Sequence, residues 1–497
     1  MQKTGISLKV RSGLTRLSTC RPLLREPTAL FILIALIFGM VFVIKTPPLW
    51  GGDETTHFAR AYQIDKGHII SEHLNYPFGD KSFGGQVPQS VFDLIWHVNG
   101  DIVTDNQITS YGVKRIDNIK GYKSFADAKL NSKHTQTYFF PNTAAYSPVA
   151  YIPSLVAIKL SILLNLSVGH TIFLARFGGL LFYIACVAYA LYALKGLRYA
   201  WLVMAVALMP MLIFQASIIG GDLMANALTI LMVGLLAKSW LKRRLTMPDT
   251  VLLSLATILL PLVKPNYIFL SAAVLLVPAV SLPAMRFKKY LKPTLIILSC
   301  IGLLIWTYIT REVPAAIRLI GVGSRYQFIS VSQQTHFLEH HPLSFVKVLA
   351  RTLLLQDNNL LNGMFGQLSF DFVQVPAISI LASSLALLIA MGISEKFKQN
   401  IKRTAAILLL IVAGVARIFV TFYLTFSNVA EPIVEGVQGR YFLPFLLLSL
   451  TAICMYVPNL RLQLNRDNQT GLGLAIASLS TISLFFAAVK LFYVLLG

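Results

Sequence analysis

The segment GGDETTHF (51–58) contains the residues whose types and spacing could most readily do chemistry. It follows an apolar run of about 20 residues, which is long enough to span a bilayer. Asp53 and Glu54 are candidate general bases, and His57 and Arg60 follow at helical spacing on the same face. Ionisable groups beside a membrane helix are costly to desolvate and tend to be functional. We therefore predict Asp53 and Glu54 as catalytic residues, with Glu54 orienting the base or the acceptor.

A structural interpretation of the same segment stays open. Either carboxylate could stabilise the N-terminus of the helix that is predicted to begin near Thr55. His57 could make ordinary hydrogen bonds at the membrane interface. Capping requires only one of these groups, whereas a catalytic site would use several of them together.

Other polar motifs combine glycine, aromatic and charged residues in a similar way. They are YSPVAYIP (146–153), Arg176, IIGGDLMAN (218–226), KPNY (264–267) and VQGRYF (437–442). Asp222 and Lys264 stand at predicted helix ends, where they could contact a substrate or simply complement the helix dipole. Arg176 is near the end of its helix, which is compatible with snorkelling to the interface.

Arg440 is harder to explain by helix structure alone. It stands beside Gln438 and Gly439 at a predicted helix N-terminus, where the dipole disfavours a cation. An anion between its guanidinium and the N-terminal amides would explain its position. The predicted phosphate- or donor-binding residues are Arg60, Lys264, Arg440 and His57, and the predicted substrate-binding residues are Tyr146, Asp222, Gln438 and Tyr441.

The elements that must position these residues are membrane helices. Of the 497 residues, 56% are hydrophobic and only 13% are charged, and apolar runs long enough to span a bilayer recur along the chain. The net charge of +22 arises from short basic clusters between apolar runs, so we expect no nucleic-acid partner. The four cysteines lack metal or disulfide spacing, and too few carboxylates converge to assign a divalent metal. No cofactor is expected.

The basic clusters predict the topology, because cytoplasmic loops are enriched in lysine and arginine. The predicted cytoplasmic segments are 1–26, 195–198, 238–244, 286–292, 395–403 and 459–466. All polar motifs then fall on the extracytoplasmic side of a multi-pass protein of the cytoplasmic membrane, with its N-terminus inside and its C-terminus outside.

The predicted fold is an all-α bundle of about 11 transmembrane helices, with a range of 10–13. The spans are expected near 28–45, 171–194, 199–215, 222–241, 248–263, 266–285, 293–310, 376–394, 404–427, 441–458 and 472–496. Residues 146–165 are apolar enough to span, but counting them would reverse two basic loops. We therefore predict an interfacial or re-entrant element there.

The predicted domain organisation centres on the membrane bundle. A basic cytoplasmic N-terminus (1–27) precedes the transmembrane domain (28–458), and a cytoplasmic linker with the last helix (459–497) follows it. Two long external loops, 46–170 and 311–375, interrupt the bundle. They contain a turn-rich stretch at 75–90, helical patterns at 117–133 and 343–356, and the motif VGSRYQF (322–328).

A general base beside several cations is what glycosyl transfer from a phosphate-linked donor requires. The carboxylate would take a proton from an acceptor hydroxyl while the cations stabilise the departing phosphate. Outside the membrane no nucleotide sugars are supplied, so the donor would be lipid-linked. Transporters also use such residues, and the residues alone leave both functions open.

The order and spacing of GGDETTHFARAYQIDKG, YSPVAYIP, GGDLMANAL, KPNY and VQGRYFLP resemble the bacterial membrane family DUF2142 over residues 30–460. The acidic pair after the first span, the long first loop and the Y-x-P-x-x-Y-x-P segment followed by an arginine also resemble the GT-C superfamily of membrane glycosyltransferases. This resemblance implies a polyprenyl-phosphate sugar donor, an inverting displacement and Asp53 as the base. The acceptor would be a cell-envelope glycan, lipid or protein.

Two rival functions make different demands on the chain. A transporter or flippase of lipid-linked glycans predicts polar residues in the middle of several spans and an inverted repeat. A non-catalytic envelope-assembly protein would tolerate loss of Asp53.

Overall fold

The computed structural model describes residues 26–75, 81–104, 119–130, 133–317, 328–369, 373–456 and 466–496. Nearly all of the predicted basic N-terminus, the basic segment 459–466 and VGSRYQF lies outside these residues. The described part is mostly helical. Its α-helices are α1 (Pro27–Lys45), α2 (Glu54–Asp65), α3 (Gln89–Thr104), α4 (Ile119–Asp127), α5 (Pro141–Ala144), α6 (Ile152–Leu163), α7 (Val168–Ala193), α8 (Tyr199–Ala207), α9 (Pro210–Ala216), α10 (Gly221–Leu241), α11 (Met247–Val263), α12 (Ile268–Ser271), α13 (Lys288–Ile309), α14 (Val313–Ala316), α15 (Val331–His340), α16 (Pro342–Leu355), α17 (Asp357–Gly366), α18 (Ala377–Ile393), α19 (Ile401–Thr425), α20 (Leu443–Cys454) and α21 (Arg466–Leu496).

Six described helices are long and apolar enough to cross a membrane, namely α1, α7, α10, α13, α19 and α21. The bent pair α8 and α9 adds a seventh if it is counted as one span. Shorter apolar helices cover Pro148–Leu163, Met247–Val263, Pro265–Leu276, Ala377–Ile393 and Gly439–Cys454. The chain is therefore a polytopic helical membrane protein, with fewer full-length spans than the eleven predicted.

Two predicted spans are not continuous helices, and a proline explains the first of the two breaks. Pro210 begins α9 and separates it from α8 by a bend of 63°. The predicted span 266–285 is broken into α12 and three short 3₁₀ turns at Pro265–Tyr267, Ala272–Leu276 and Ala279–Ser281. A proline lacks the amide donor and clashes with the preceding turn, so the apolar pattern continues while the helix does not.

Helix α10 lies at the centre of the bundle. Its apolar window is 94% buried, whereas those of α13 and α19 are 17% and 22% buried. The two outer helices expose apolar side chains, which suits contact with lipid. Because α10 begins at Gly221, its first turn presents Asp222 from the middle of the bundle.

The first long loop contains a small sheet that the prediction of an all-α fold missed. Strands β1 (Glu72–Asn75), β2 (Lys81–Pro88) and β3 (Thr135–Phe139) form an antiparallel sheet in the order β1–β2–β3. A two-stranded hairpin, β4 (Gln367–Leu368) with β5 (Val373–Gln374), lies in the second loop. Strand β2 reads as turn-rich because of its two glycines. One of them, Gly84, pairs with Phe139, a partner far along the chain.

The helical patterns predicted in the two loops agree with α4 and α16. Residues 146–165 form a 3₁₀ turn (Pro148–Tyr151) and α6, which packs against α7 and α2. Its outer face exposes Val156, Leu160 and Leu163. The segment is shorter than a full span, and its interfacial position stays a prediction.

Three of the basic clusters meet at one end of the bundle. Lys195 pairs with Glu26 at 3.7 Å, and Arg198 pairs with Glu395 at 3.8 Å. The Lys242 ammonium donates to the Lys195 carbonyl at 2.7 Å. The polar motifs lie at the opposite ends of the same helices, so the structure agrees with their predicted separation. Which of the two ends is cytoplasmic stays a prediction.

Candidate functional site

Side chains from each of the glycine- and aromatic-containing motifs surround one small cavity at the end of the bundle away from the basic clusters. Its volume of about 20 Å³ is room for about one water molecule. The lining residues are Gly52, Asp53, His57, Tyr146, Gln215, Ile218, Gly220, Asp222, Lys264, Arg440 and Tyr441. The structure thus brings together seven of the ten predicted site residues.

Asp53 stands immediately before α2 in the left-handed backbone conformation, with φ of +57°. Its side chain makes no capping hydrogen bond, so the capping interpretation is wrong for this residue. Instead, Arg440 Nη2 donates to Asp53 Oδ2 at 3.2 Å, and the Asp53 side chain remains 45% exposed. Gly52 makes room for this contact, because a Cβ there would lie 2.5 Å from Arg440 Nη1.

Two carboxylates and two cations alternate around the cavity. The Lys264 ammonium contacts Asp222 Oδ1, and Arg440 Nε lies 3.8 Å from Asp222 Oδ2. The α10 N-cap is Gly220, so Asp222 serves this network rather than a cap. The anion expected near Arg440 is therefore supplied by the protein itself, and the charges of the four groups balance.

Aromatic rings enclose the Lys264 ammonium. It lies 5.8 Å from the centroid of the Tyr146 ring and 4.9 Å from that of Tyr441, within the range of cation–π attraction. The His57 ring meets Tyr146 edge to face at 5.0 Å. Gly221 allows this arrangement, because a Cβ would lie 2.5 Å from the Tyr146 ring.

A much larger and mainly apolar groove adjoins the cavity and shares Tyr146, Lys264 and Tyr441 with it. Its volume is about 440 Å³, and its walls come from the ends of α13 and α19 and from the KPNY turn. Phe422 and Phe426 of the α19 end are among its apolar residues. A polar cavity beside such a groove suits a ligand with a polar head and a hydrocarbon chain.

The family description "Predicted membrane protein (DUF2142)" matches residues 36–449. The chain belongs to this family. The matched region contains every residue that lines the cavity and the groove. Searches of curated proteins and of solved structures found no match. None of these comparisons shows a likeness to the GT-C superfamily.

Glu54 of this DUF2142 protein does not line the cavity. Its buried carboxylate accepts hydrogen bonds from Arg176 Nε at 2.8 Å and Arg176 Nη2 at 2.5 Å. The backbone amides of Gly51 and Ile219 each donate to it at 2.9 Å. Arg176 is 2% exposed, so the snorkelling interpretation is wrong, and the geometry of Glu54 favours a structural role over the predicted catalytic one.

Arg60 and Gln438 also lie away from the cavity of the DUF2142 protein. The buried Arg60 guanidinium donates to Gln63 Oε1 at 2.5 Å and to the Ile69 carbonyl at 2.6 Å. Those contacts hold the chain after α2, and the guanidinium does not line the cavity. Gln438 precedes a 3₁₀ turn (Gly439–Phe442), where its carbonyl accepts from the Tyr441 amide at 3.1 Å. The geometry does not favour the phosphate and substrate contacts predicted for them.

His57 lines the cavity as a neutral group. Its Nδ1 and the Tyr151 hydroxyl are 2.7 Å apart. Burial lowers the pKa of His57 from 6.5 to about 4, and the opposing effect of the Asp53 charge is smaller. A neutral imidazole brings no positive charge to a phosphate, so its geometry and pKa favour orienting contacts over the predicted phosphate binding.

Gln215 and Tyr151 belong to the site but were not predicted. Gln215 is 2% exposed and lines the cavity, and its Oε1 accepts from Asn226 Nδ2 at 2.7 Å. In the described part of the chain its Nε2 has no hydrogen-bond partner. An amide inside an otherwise apolar run is the sequence signal that could have identified Gln215. Tyr151 is in the YSPVAYIP motif, but only the tertiary contact relates it to His57.

Among the described residues of the DUF2142 protein, no group of three or more His, Cys, Asp and Glu side chains could hold a metal ion.

Proposed function

We propose that this DUF2142 protein is a GT-C-type inverting glycosyltransferase that moves a sugar from a polyprenyl-phosphate donor to a cell-envelope acceptor. The active site would face the extracytoplasmic side of the cytoplasmic membrane. One observation carries the proposal: the partly exposed carboxylate of Asp53 lines a charged cavity that shares Tyr146, Lys264 and Tyr441 with an adjoining apolar groove. The groove suits the polyprenyl chain, and the cavity suits the reacting groups.

Asp53 is the proposed general base. It accepts the proton of the acceptor hydroxyl as that oxygen forms a bond to the anomeric carbon. The bond from this carbon to the donor phosphate breaks on the opposite face, and the electron pair leaves with the phosphate. Asp53 suits this role because its contact with Arg440 leaves nearly half of the side chain accessible.

Lys264 and Arg440 are the proposed groups that stabilise the departing phosphate. Both are held by carboxylates of the protein, and a donor phosphate would replace part of those contacts. The Lys264 ammonium lies at the junction of cavity and groove, where the phosphate of a lipid-linked donor is expected. Tyr146, Tyr441 and Asp222 are then placed to contact the sugar or the carrier.

Donor binding requires the cavity to widen. Its present volume of about 20 Å³ admits water but no sugar ring. Exchange of the Lys264–Asp222 contact for a Lys264–phosphate contact would free the Asp222 carboxylate for sugar hydroxyls. Binding energy from the polyprenyl chain in the groove can drive this rearrangement.

Asp53→Asn tests the proposal, because it removes the base and keeps the shape of the side chain. We expect transfer of radiolabelled sugar from polyprenyl-phosphate hexoses to envelope fractions to fall by about 10²–10⁴-fold. Membrane insertion and thermal unfolding should match those of the wild type. Asp65→Asn is the matched control, because it changes a carboxylate at the other end of α2. Normal transfer by Asp53→Asn would contradict the proposal.

A flippase for lipid-linked glycans is the second candidate function, and the lateral groove between membrane-spanning helices favours it. It predicts that labelled lipid-linked glycans cross the bilayer of proteoliposomes at the same rate with wild type and Asp53→Asn. A non-catalytic assembly protein predicts neither transfer nor flipping.

A further inference from the structure

The apolar groove contains a cation that has no counter-charge among the described residues. Arg417 lies within the membrane-spanning helix α19, lines the groove and is partly buried. Its Nε is buried without a hydrogen-bond partner, and across the described residues the guanidinium has no ion pair or ring contact. Charged side chains inside membrane helices are rare and costly, and they usually mark a functional contact.

Arg417 differs in this respect from the ion-paired cations at and beside the cavity. Arg176 is held by Glu54, whereas Lys264 and Arg440 are held by the carboxylates of the cavity. Among the described residues that line the groove, Lys264, Arg311 and Arg417 are cations and no residue is a carboxylate. The cavity is therefore balanced in charge, and the groove is positive.

We propose that Arg417 binds the phosphate of a membrane lipid whose hydrocarbon chain occupies the groove. A ligand for this place must be anionic at one point, because it must compensate the guanidinium, and apolar along the rest. A planar guanidinium suits bidentate contact with phosphate oxygens. This inference rests on the proposed function in one respect, since the lipid would be the polyprenyl-phosphate carrier.

Neutral groups beside Arg417 complete the anion site. Thr421, one helical turn further along α19, donates to Asn266 Oδ1 at 2.9 Å, and both residues line the groove. This bond orients the Asn266 side-chain amide, whose Nδ2 can donate to a phosphate oxygen. The site thus combines one unpaired cation with a positioned neutral donor next to apolar walls.

Lipid binding to the full-length protein in detergent tests the inference. The probes are decaprenyl phosphate and decaprenol, which share the hydrocarbon chain and differ in the phosphate. Native mass spectrometry should show that wild type prefers the phosphate by about tenfold or more. Arg417→Gln should remove this preference, and Arg417→Lys should retain part of it. Folding should be preserved, since the substitution removes an uncompensated buried charge.

Arg403→Gln is the matched control, because it removes the same charge from the other end of α19, where Arg403 stacks on Trp240 at 4.7 Å. It should bind both lipids like the wild type. An unchanged preference in Arg417→Gln would overturn the inference, and so would displacement of decaprenyl phosphate by inorganic phosphate at equal concentration. The latter result would indicate a site for free anions rather than lipids.

The same variants separate this inference from the proposed function. Asp53→Asn should retain the preference for decaprenyl phosphate over decaprenol, because Asp53 lies in the cavity and outside the groove. Loss of phosphate preference in Arg417→Gln with no sugar transfer by any variant would support the lipid site and contradict the transferase. Sugar transfer that depends on Asp53, together with an unchanged phosphate preference in Arg417→Gln, would support the transferase and contradict the lipid site.

Discussion

Two adjacent carboxylates in this protein have opposite environments. Asp53 is 45% exposed and contacts one cation across the cavity. Glu54 is fully buried and accepts four hydrogen bonds from Arg176 and two backbone amides. A base needs access to the acceptor and an available lone pair, so only Asp53 suits that role. The sequence placed both carboxylates in the site, and the structure shows that Glu54 is instead paired with the buried Arg176.

The buried imidazole of His57 predicts a pH-dependent stability. Its pKa is about 4 in the folded state and 6.5 in the unfolded chain, so on acidification the unfolded state binds the proton first. Stability is unaffected above pH 6.5 and falls as the pH decreases toward 4. The loss between pH 7 and pH 5 should be about 2 kcal/mol from this group.

Unfolding by dodecyl sulfate in mixed micelles at the two pH values measures this difference. His57→Gln retains a hydrogen-bonding partner for Tyr151 and has no titrating ring. Between pH 7 and pH 5, the free energy of unfolding of His57→Gln should therefore fall by about 2 kcal/mol less than that of the wild type. An identical pH dependence in both proteins would contradict the prediction, because it would show that folding does not lower the pKa of His57.

At the scale of elements, Arg176 joins three helices at one point. From α7, its Nη1 donates to the Thr46 carbonyl at 2.6 Å and its Nη2 to the Pro47 carbonyl at 2.8 Å, just after α1. Its pair with Glu54 holds the first turn of α2. These contacts set the direction in which the chain leaves α1 and so place Asp53 at the cavity.

Glu54→Gln is expected to destabilise the protein by about 3–5 kcal/mol, because it leaves the buried Arg176 charge uncompensated. Unfolding in mixed micelles measures the loss, and Asp53→Asn provides the neighbouring control with little change. The double variant Glu54→Leu/Arg176→Met should recover part of the stability. A Glu54→Gln protein with wild-type stability and no transfer would restore the catalytic role that the sequence predicted.

Proline and glycine residues decide where the apolar helices end and where the polar site residues follow them. The KPNY turn ends α11 at Val263, and the backbone of Lys264 is extended. The Lys264 side chain thereby lines both the cavity and the groove. The break at Pro210 divides one predicted span, and short 3₁₀ turns divide the predicted span 266–285. Hydropathy alone cannot show these helix breaks, because a broken apolar segment has the same composition as a continuous one.

At the scale of the whole molecule, charge is separated between the two ends. The basic clusters around Lys195 and Glu395 form one end, and the charge-balanced cavity lies at the other. The positive-inside rule predicts that the basic end is cytoplasmic. The cavity would then face outward, as the proposed transfer to an envelope acceptor requires.

Cysteine labelling tests this orientation in a chain whose native cysteines have been replaced. Ile70→Cys marks the exposed segment after α2, and Lys398→Cys marks the exposed loop before α19. A membrane-impermeant maleimide should label position 70 in intact spheroplasts and position 398 only after permeabilisation. The inverse pattern would place the cavity in the cytoplasm and contradict an extracytoplasmic acceptor.

The sequence by itself determined the membrane class, the position of most helices and the separation of polar motifs from basic clusters. Those properties follow from composition and local order, which need no knowledge of contacts. The tertiary structure decided which charged residues meet. Arg440 and Asp53 are 387 positions apart, and Arg176 and Glu54 are 122 apart, so their pairing depends on which helix ends pack together. The same packing left Arg417 unpaired in the groove, since no carboxylate of the described chain reaches it.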